Sequence, residues 1–208
     1  MEKILNILLP YCQNLRKLKY DLANTLLHEA AISGIPQIVR TTMDHIAKFL
    51  QDSVDSFGNN SMHDAVQKGQ IEMVKGLLER LSKPNAQNQF LLSPLHIAVN
   101  KYANITKLAR NGTKSKTEST GKYAEIVKLI SFSCDNHDCQ DFDGNTTLHI
   151  AAREGLIEIV EILMPFYENL LIENVREETP LTLAYGRDDS IGDSIRDLLM
   201  KEIESRCQ

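Results

Sequence analysis

A short motif returns along the chain at nearly regular intervals, and this spacing restricts the fold more than any other feature. A histidine preceded by Leu or Met occurs in four copies, and a threonine takes its place in a fifth: His28, His63, His96, His149 and Thr182. The steps between these positions are 35, 33, 53 and 33 residues, and 53 is 33 with an insertion of 20. One copy of this length cannot bury an apolar face by itself, so the copies are expected to stack on one another.

The fourth copy, residues 141–163, shows the internal organisation most clearly. Asp141 to Gly144 is polar and ends in glycine, which predicts a tight turn. Thr146 is placed to cap a first helix, and Gly155 is placed to end it. The apolar residues that follow from Ile157 have helical spacing. Each copy is therefore predicted to be a turn followed by two short helices.

A period near 33 combined with the pattern T-P-L-H-x-A resembles the ankyrin-repeat family over about nine-tenths of the chain. The resemblance is clearest at residues 93–98, 146–152 and 179–184. It implies an all-α ankyrin-repeat solenoid of about five helix-turn-helix repeats with β-turn fingers and helical caps. The predicted units are an N-terminal helical cap (1–20), repeat 1 (21–54), repeat 2 (55–87), repeat 3 (88–140), repeat 4 (141–173), and repeat 5 with a C-terminal cap (174–208).

Repeat 3 is irregular because residues 102–121 separate its two helices. The first part, 102–110, is able to prolong the first helix, whereas the rest lacks apolar residues and is predicted to be a mobile loop. The second helix is expected to begin at Tyr123. The segment and its ends are basic and contain a single acid, Glu118. The basic residues are Lys101, Lys107, Arg110, Lys114, Lys116 and Lys122. It either contacts an acidic partner, under control of phosphorylation, or is a solvated loop.

Composition excludes several classes of function. A net charge of −5 argues against general nucleic-acid binding, and no apolar run is long enough to span a bilayer. The four cysteines have no paired spacing, which favours a reducing compartment. We expect a monomer in the cytoplasm, with the nucleus or delivery into a host cell as alternatives. The polar face of the last helix suits a C-terminal cap, so no catalytic domain is expected to follow.

Two groups of residues have the chemistry of a reactive site. The repeated histidines are spaced one per repeat, so they are expected to lie in a line and not to converge on a metal or a substrate. The resemblance implies that each imidazole binds backbone near the turns. Cys134, His137 and Cys139 are zinc-ligand types, but their spacing is uncommon for zinc and no second pair follows. We therefore predict no cofactor, no metal and no catalytic residue.

The resemblance implies that a partner contacts the turn tips and the exposed ends of the first helices. The residues at these positions are Ser56, Phe57, Asn59, Gln67, Lys68, Gln89, Phe90, Leu92, Asn100, Lys101, Phe142, Asp143, Asn145, Arg153, Glu154, Val175, Arg176, Glu178 and Arg187. Three phenylalanines on successive tips either form an exposed apolar stripe or fold back onto neighbouring turns. Leu91 and Glu177 stand where the family has glycine, which leaves the geometry of those two tips open.

The predicted function is a non-enzymatic protein–protein interaction module that blocks, anchors or recruits another protein. Two narrower possibilities are an inhibitor that resembles the inhibitor-of-NF-kappa-B-like proteins and an effector directed at a host cell. A zinc-binding enzyme and a purely structural spacer are the alternatives from other classes.

Overall fold

The computed structural model describes residues 54–79, 81, 83–110, 117–134 and 137–207. The predicted N-terminal cap, nearly all of repeat 1 with His28, and the centre of the repeat 3 insertion lie outside these residues. The described helices are α1 (Ser61–Gln67), α2 (Ile71–Leu78), α3 (Pro94–Arg110), α4 (Thr117–Ser133), α5 (Thr147–Glu154), α6 (Ile157–Leu163), α7 (Pro180–Tyr185) and α8 (Ser190–Arg206). A 3₁₀ turn, Met164–Phe166, continues α6. The described residues include no strand.

The helix ends follow the predicted chemistry. The Thr146 hydroxyl caps α5 by accepting a hydrogen bond from the His149 N–H, and Asn60 and Thr179 cap α1 and α7 in the same way. Gly155 ends α5 with a left-handed φ of 70°, a conformation that glycine adopts without a steric cost. The polar residues of the motif therefore set where these first helices begin, and Gly155 sets where α5 ends.

The helices pack in two layers that run the length of the solenoid. The inner layer contains α1, α3, α5 and α7, which contact one another in that order, and the outer layer contains α2, α4, α6 and α8. Apolar residues between the layers are fully buried, including Leu77, Ile126 and Ile159. Each such side chain stabilises the fold by roughly 1.5–3 kcal/mol relative to exposure. The predicted all-α solenoid of helix-turn-helix repeats is thus confirmed.

The insertion in repeat 3 differs from the prediction. Helix α3 continues to Arg110, as residues 102–110 allowed, but α4 begins at Thr117 and not at Tyr123. Residues 117–121 were therefore wrongly assigned to a loop. The helices extend because Tyr102, Ala109 and Tyr123 find buried positions. Helix propensity did not predict this earlier start of α4, because the residues that the helices pack against belong to other repeats.

The lengthened helices contact the repeats on both sides of them. The Tyr102 hydroxyl donates to Glu158 Oε2 at 2.6 Å, and Lys107 pairs with Glu154 at 2.6 Å. On the opposite side, the Tyr123 hydroxyl donates to the Gln67 carbonyl at 3.4 Å. The extended part of α3 therefore braces repeat 3 against repeat 4, while Tyr123 of α4 contacts repeat 2, and part of the predicted basic charge is already paired.

The recurring histidines tie each repeat to the next. Nε2 of His63, His96 and His149 donates to the carbonyls of Leu92, Asn145 and Glu178 at 3.1, 3.2 and 3.0 Å. Nδ1 of each ring accepts the backbone N–H of the capping residue three positions earlier. The described histidines of the motif therefore have the structural role that was predicted, and each tie needs a neutral ring.

Burial lowers the pKa of His96 and of His149 below the ordinary value of about 6.5. The unfolded chain therefore binds more protons than the folded chain once the pH falls below about 6.5. We expect the free energy of unfolding to fall between pH 7.5 and pH 5.5, as measured by urea denaturation. Because glutamine does not titrate, the variant His96→Gln/His149→Gln should show a shallower decline than the wild type. Parallel pH curves for the two proteins would contradict this assignment.

Candidate protein-binding surface

Four turns of the described repeats project from one edge of the solenoid, and all four have the same internal hydrogen bonds. In residues 141–145, Asp141 Oδ1 accepts the backbone N–H groups of Asp143 and Asn145 at 3.0 and 2.8 Å. The Gly144 N–H donates to the Asp141 carbonyl at 2.9 Å. The same set recurs in residues 55–59, 88–92 and 174–178, each beginning with Asp or Asn. The turns are therefore rigid before any partner arrives.

The fourth position of each turn has a positive φ, whether or not glycine occupies it. Gly58 and Gly144 have φ of 78° and 74°, while Leu91 and Glu177 have φ of 53° and 60°. The sequence left open the geometry of the two turns that have Leu91 and Glu177 in place of glycine. Their backbone conformation is the same as that of the two turns with glycine. The non-glycine residues bear a strain of roughly 1 kcal/mol, which the surrounding hydrogen bonds sustain.

The three predicted phenylalanines are exposed at the tips, with 55 % of Phe57, 50 % of Phe90 and 67 % of Phe142 accessible to solvent. They do not form one regular stripe. Phe57 and Phe90 occupy the third position of their turns and stack at 6.3 Å between ring centroids. Phe142 occupies the second position of its turn, in register with Val175, of which 74 % is exposed. The tips therefore carry one stacked pair followed by two separate apolar side chains.

Two apolar contributors to this surface were missed by the sequence reasoning. Val54 and Leu91 are exposed to 46 % and 38 %, beside the first two turns. Leu91 was considered only as a replacement for glycine. A leucine at a position that requires positive φ is itself a signal, since a smaller or polar residue would fit that conformation more easily.

Most of the other predicted residues are at least partly accessible on the tips or the inner helices. Ser56, Gln67, Lys68, Gln89, Asp143, Arg153 and Arg176 are exposed, and Leu92, Asn100 and Lys101 are half-buried. In repeat 3 the last two lie within α3 and not at its end, because that helix continues to Arg110. The inner face is therefore longer at repeat 3 than the family pattern implies.

Five of the predicted residues are engaged within the protein. Asn145 is 2 % exposed, so its side chain is not available to a partner, contrary to its place in the predicted set. Asn59 accepts from Asn88 Nδ2 at 2.8 Å, and Glu178 accepts from Asn174 Nδ2 at 3.0 Å. Glu154 pairs with Lys107, and Arg187 pairs with Asp189. These side chains support the surface and do not form its accessible part.

The cysteine–histidine group has a packing role in the structure. His137 Nε2 donates to the Ser131 carbonyl at 2.9 Å, and the ring stacks on Phe166 with 5.0 Å between centroids. Burial raises the pKa of the Cys139 thiol, which disfavours the thiolate that zinc binds. Within the described ranges, no three His, Cys, Asp or Glu side chains converge as metal ligands would. Nothing in the described site shows catalysis.

The chain belongs to the ankyrin-repeat family. The family model for ankyrin repeats in three copies matches residues 1–88 and 117–206, so that it leaves out part of repeat 3 and its insertion. The repeats of this family are in general non-enzymatic modules for protein–protein interaction. The coarse prediction of a protein-interaction module is therefore supported by the family as well as by the exposed tips.

Comparison with curated proteins gives relatives of different kinds. The human transient receptor potential cation channel subfamily A member 1 is 30 % identical over 192 residues, which cover 81 % of this chain and 17 % of the channel. The mouse B-cell lymphoma 3 protein homolog is 25 % identical, covering 80 % of this chain and 41 % of that protein. The zebrafish neurogenic locus notch homolog protein 1 is 27 % identical, and the match covers 64 % of this chain and 6 % of that protein. The chain thus spans less than half the length of each.

None of the helices in the described part of the chain is long and apolar enough to cross a membrane.

The strained turns give a stability test. We expect Glu177→Gly to have a free energy of unfolding about 1 kcal/mol above that of Arg176→Gly, because glycine has no steric cost at a φ of 60° and both variants gain the same unfolded-state entropy. Urea denaturation at neutral pH measures the change. The neighbouring Arg176→Gly, which gains only unfolded-state entropy, is the matched control and should be neutral or destabilising. A lower stability for Glu177→Gly than for Arg176→Gly would show that the position is not strained.

Proposed function

We propose that this chain binds another protein through its turn tips and the adjoining inner helices, and thereby blocks, anchors or recruits that protein. The observation that carries the proposal is the row of exposed apolar side chains on rigid turns, formed by Phe57, Phe90, Phe142 and Val175. Interfaces gain most of their affinity from a few large apolar or aromatic residues of this kind.

The rigidity of the turns supports the proposal on energetic grounds. Association loses affinity when loops and side chains must become ordered, at roughly 0.5–1.5 kcal/mol for each immobilised side chain. In these turns the backbone is already held by the Asp or Asn at the first position. The ordering cost on this side of the interface is therefore confined to the tip side chains.

Charged residues near the apolar row are suited to selecting a partner. Lys68, Arg153 and Arg176 are exposed along the inner helices and the last turn, and Lys101 is half-buried. Charges at the edge of an interface affect the association rate and the choice of partner more than the affinity. The family relatives range from an ion channel to a notch protein, so they favour no single partner.

A binding comparison tests the proposal. In a pull-down from cell lysate, we expect at least one protein that is retained by the wild type to be lost from Phe57→Ala/Phe90→Ala/Phe142→Ala. The reason is the loss of the exposed apolar contacts, and circular dichroism should show that the variant remains helical.

Phe132→Ala is the matched control, because Phe132 is 69 % exposed but lies on the outer helix α4. It should keep the partner. Equal retention by all three proteins would move the binding site away from the tips, and loss in Phe132→Ala alone would place it on the outer layer.

A further inference from the structure

Neighbouring turns are joined by two hydrogen bonds at two of the three described interfaces between them. At the first interface, the Gln89 N–H donates to the Phe57 carbonyl at 3.0 Å. At the last interface, the Val175 N–H donates to the Asp143 carbonyl at 3.0 Å. An amide bond accompanies each of these, from Asn88 to Asn59 at 2.8 Å and from Asn174 to Asn145 at 2.9 Å.

The middle interface lacks both bonds. The corresponding donor is the Phe142 N–H and the corresponding acceptor is the Phe90 carbonyl, and neither has a hydrogen-bond partner in the described chain. The amide bond is absent because Asp141 has no side-chain N–H to donate and Leu92 has no side-chain oxygen to accept. The bases of the two turns remain joined by Gln87 Nε2, which donates to the Gln140 carbonyl at 2.7 Å, just as Gln140 Nε2 donates to the Glu173 carbonyl at 2.9 Å at the last interface.

We call this interface the open step, defined by Phe90, Leu91 and Phe142. Its backbone donor and acceptor lie between two exposed phenylalanines, and Leu91 adds further exposed apolar surface. A backbone N–H and C=O that are unpaired within the described chain and lie on rigid, exposed turns are able to bond to the backbone of an extended segment, as the free groups of a sheet edge do in strand-addition complexes. The apolar flanks suit one large apolar side chain of that segment.

The charges nearby complement an acidic segment. Below the open step lie the adjacent inner helices α3 and α5, which carry Lys101 and Arg153. Lys101 has no ion pair within the described chain, and the Arg153 side chain has one there, with Glu154 at 3.7 Å. That glutamate is already paired with Lys107 at 2.6 Å. Asp143 is exposed beside Phe142, so the end of the segment at the tips is expected to be uncharged.

We propose that the open step binds an extended protein segment that carries one large apolar residue and, towards α3 and α5, acidic residues. Its backbone accepts a hydrogen bond from the Phe142 N–H and donates one to the Phe90 carbonyl. Its acidic side chains pair with Lys101 and Arg153. This inference rests on the proposed function, because it specifies the partner of the same tip surface.

The free N–H permits a selective substitution. Phe142 is the second residue of a turn closed by the Gly144 N–H, a position that proline favours. Phe142→Ala removes the ring, and Phe142→Pro removes both the ring and the N–H, so their difference reports the backbone bond. Gln89→Pro is the matched control for the fold, because its N–H bonds to Phe57. We expect Gln89→Pro to have a lower urea midpoint than the wild type. Phe142→Pro should have the same urea midpoint as Phe142→Ala.

The binding probe is a phage library of random 16-residue peptides, selected on the full chain. We expect the enriched peptides to combine a large apolar residue with Asp or Glu. Their dissociation constants should rise about threefold to tenfold from Phe142→Ala to Phe142→Pro, as the loss of one hydrogen bond requires. Lys101→Glu/Arg153→Glu should weaken binding at least fivefold. Lys128→Glu, an exposed position on α4, should leave binding unchanged.

The outcomes separate this inference from the proposed function. Peptides that bind equally to the wild type and to Phe57→Ala/Phe90→Ala/Phe142→Ala, or no enrichment at all, would overturn both. Peptides that require the phenylalanines but bind Phe142→Pro as well as Phe142→Ala would overturn the open step and leave tip binding intact. Enriched peptides that are rich in Lys or Arg would overturn the acidic partner.

Discussion

The hydrogen bond from the imidazoles of His63, His96 and His149 to the next turn is the interaction on which the described structure depends. It joins the start of a first helix, where Nδ1 accepts a backbone N–H, to a carbonyl of the following turn. One neutral ring therefore fixes both the cap of its own helix and the position of its neighbour. In the last copy, Thr182 bonds only within its own turn, with its hydroxyl donating to the Thr179 carbonyl at 2.9 Å. This copy therefore keeps the bonds that cap its helix but has no imidazole to donate to a neighbouring turn.

Stability and binding use different parts of each repeat. The helices bury the apolar residues, and the caps and ties satisfy the backbone, so the tips contribute little to the core. The tips can therefore present large apolar side chains, such as Phe142, that a globular domain would bury. Among the described turns, the interface without a direct turn-to-turn hydrogen bond lies between Phe90 and Phe142, which makes the centre of the described row chemically distinct from its two ends.

The insertion in repeat 3 strengthens the solenoid instead of interrupting it. Its helices extend past their neighbours and contact repeat 4 through Tyr102 and Lys107, and repeat 2 through Tyr123. These contacts belong to repeat 3, whose turn has fewer hydrogen bonds to the following turn than the other described turns have. Among the described basic residues of this segment, Lys107 pairs with Glu154, whereas Lys122 is exposed to solvent.

The sequence by itself determined the repeat, its two helices, the residues that cap the first helices and the structural role of the histidines. These features depend on local spacing and on residue chemistry that recurs in every copy, as His96 and His149 show. The sequence also placed the phenylalanines on the tips, but it did not predict that Phe142 occupies a different position in its turn from Phe57 and Phe90. Only the tertiary structure decided that α4 begins at Thr117, that Asn145 is buried and that the Phe142 N–H is left open. Each of these depends on a contact between residues of different repeats, and such contacts leave no periodic signal along the chain.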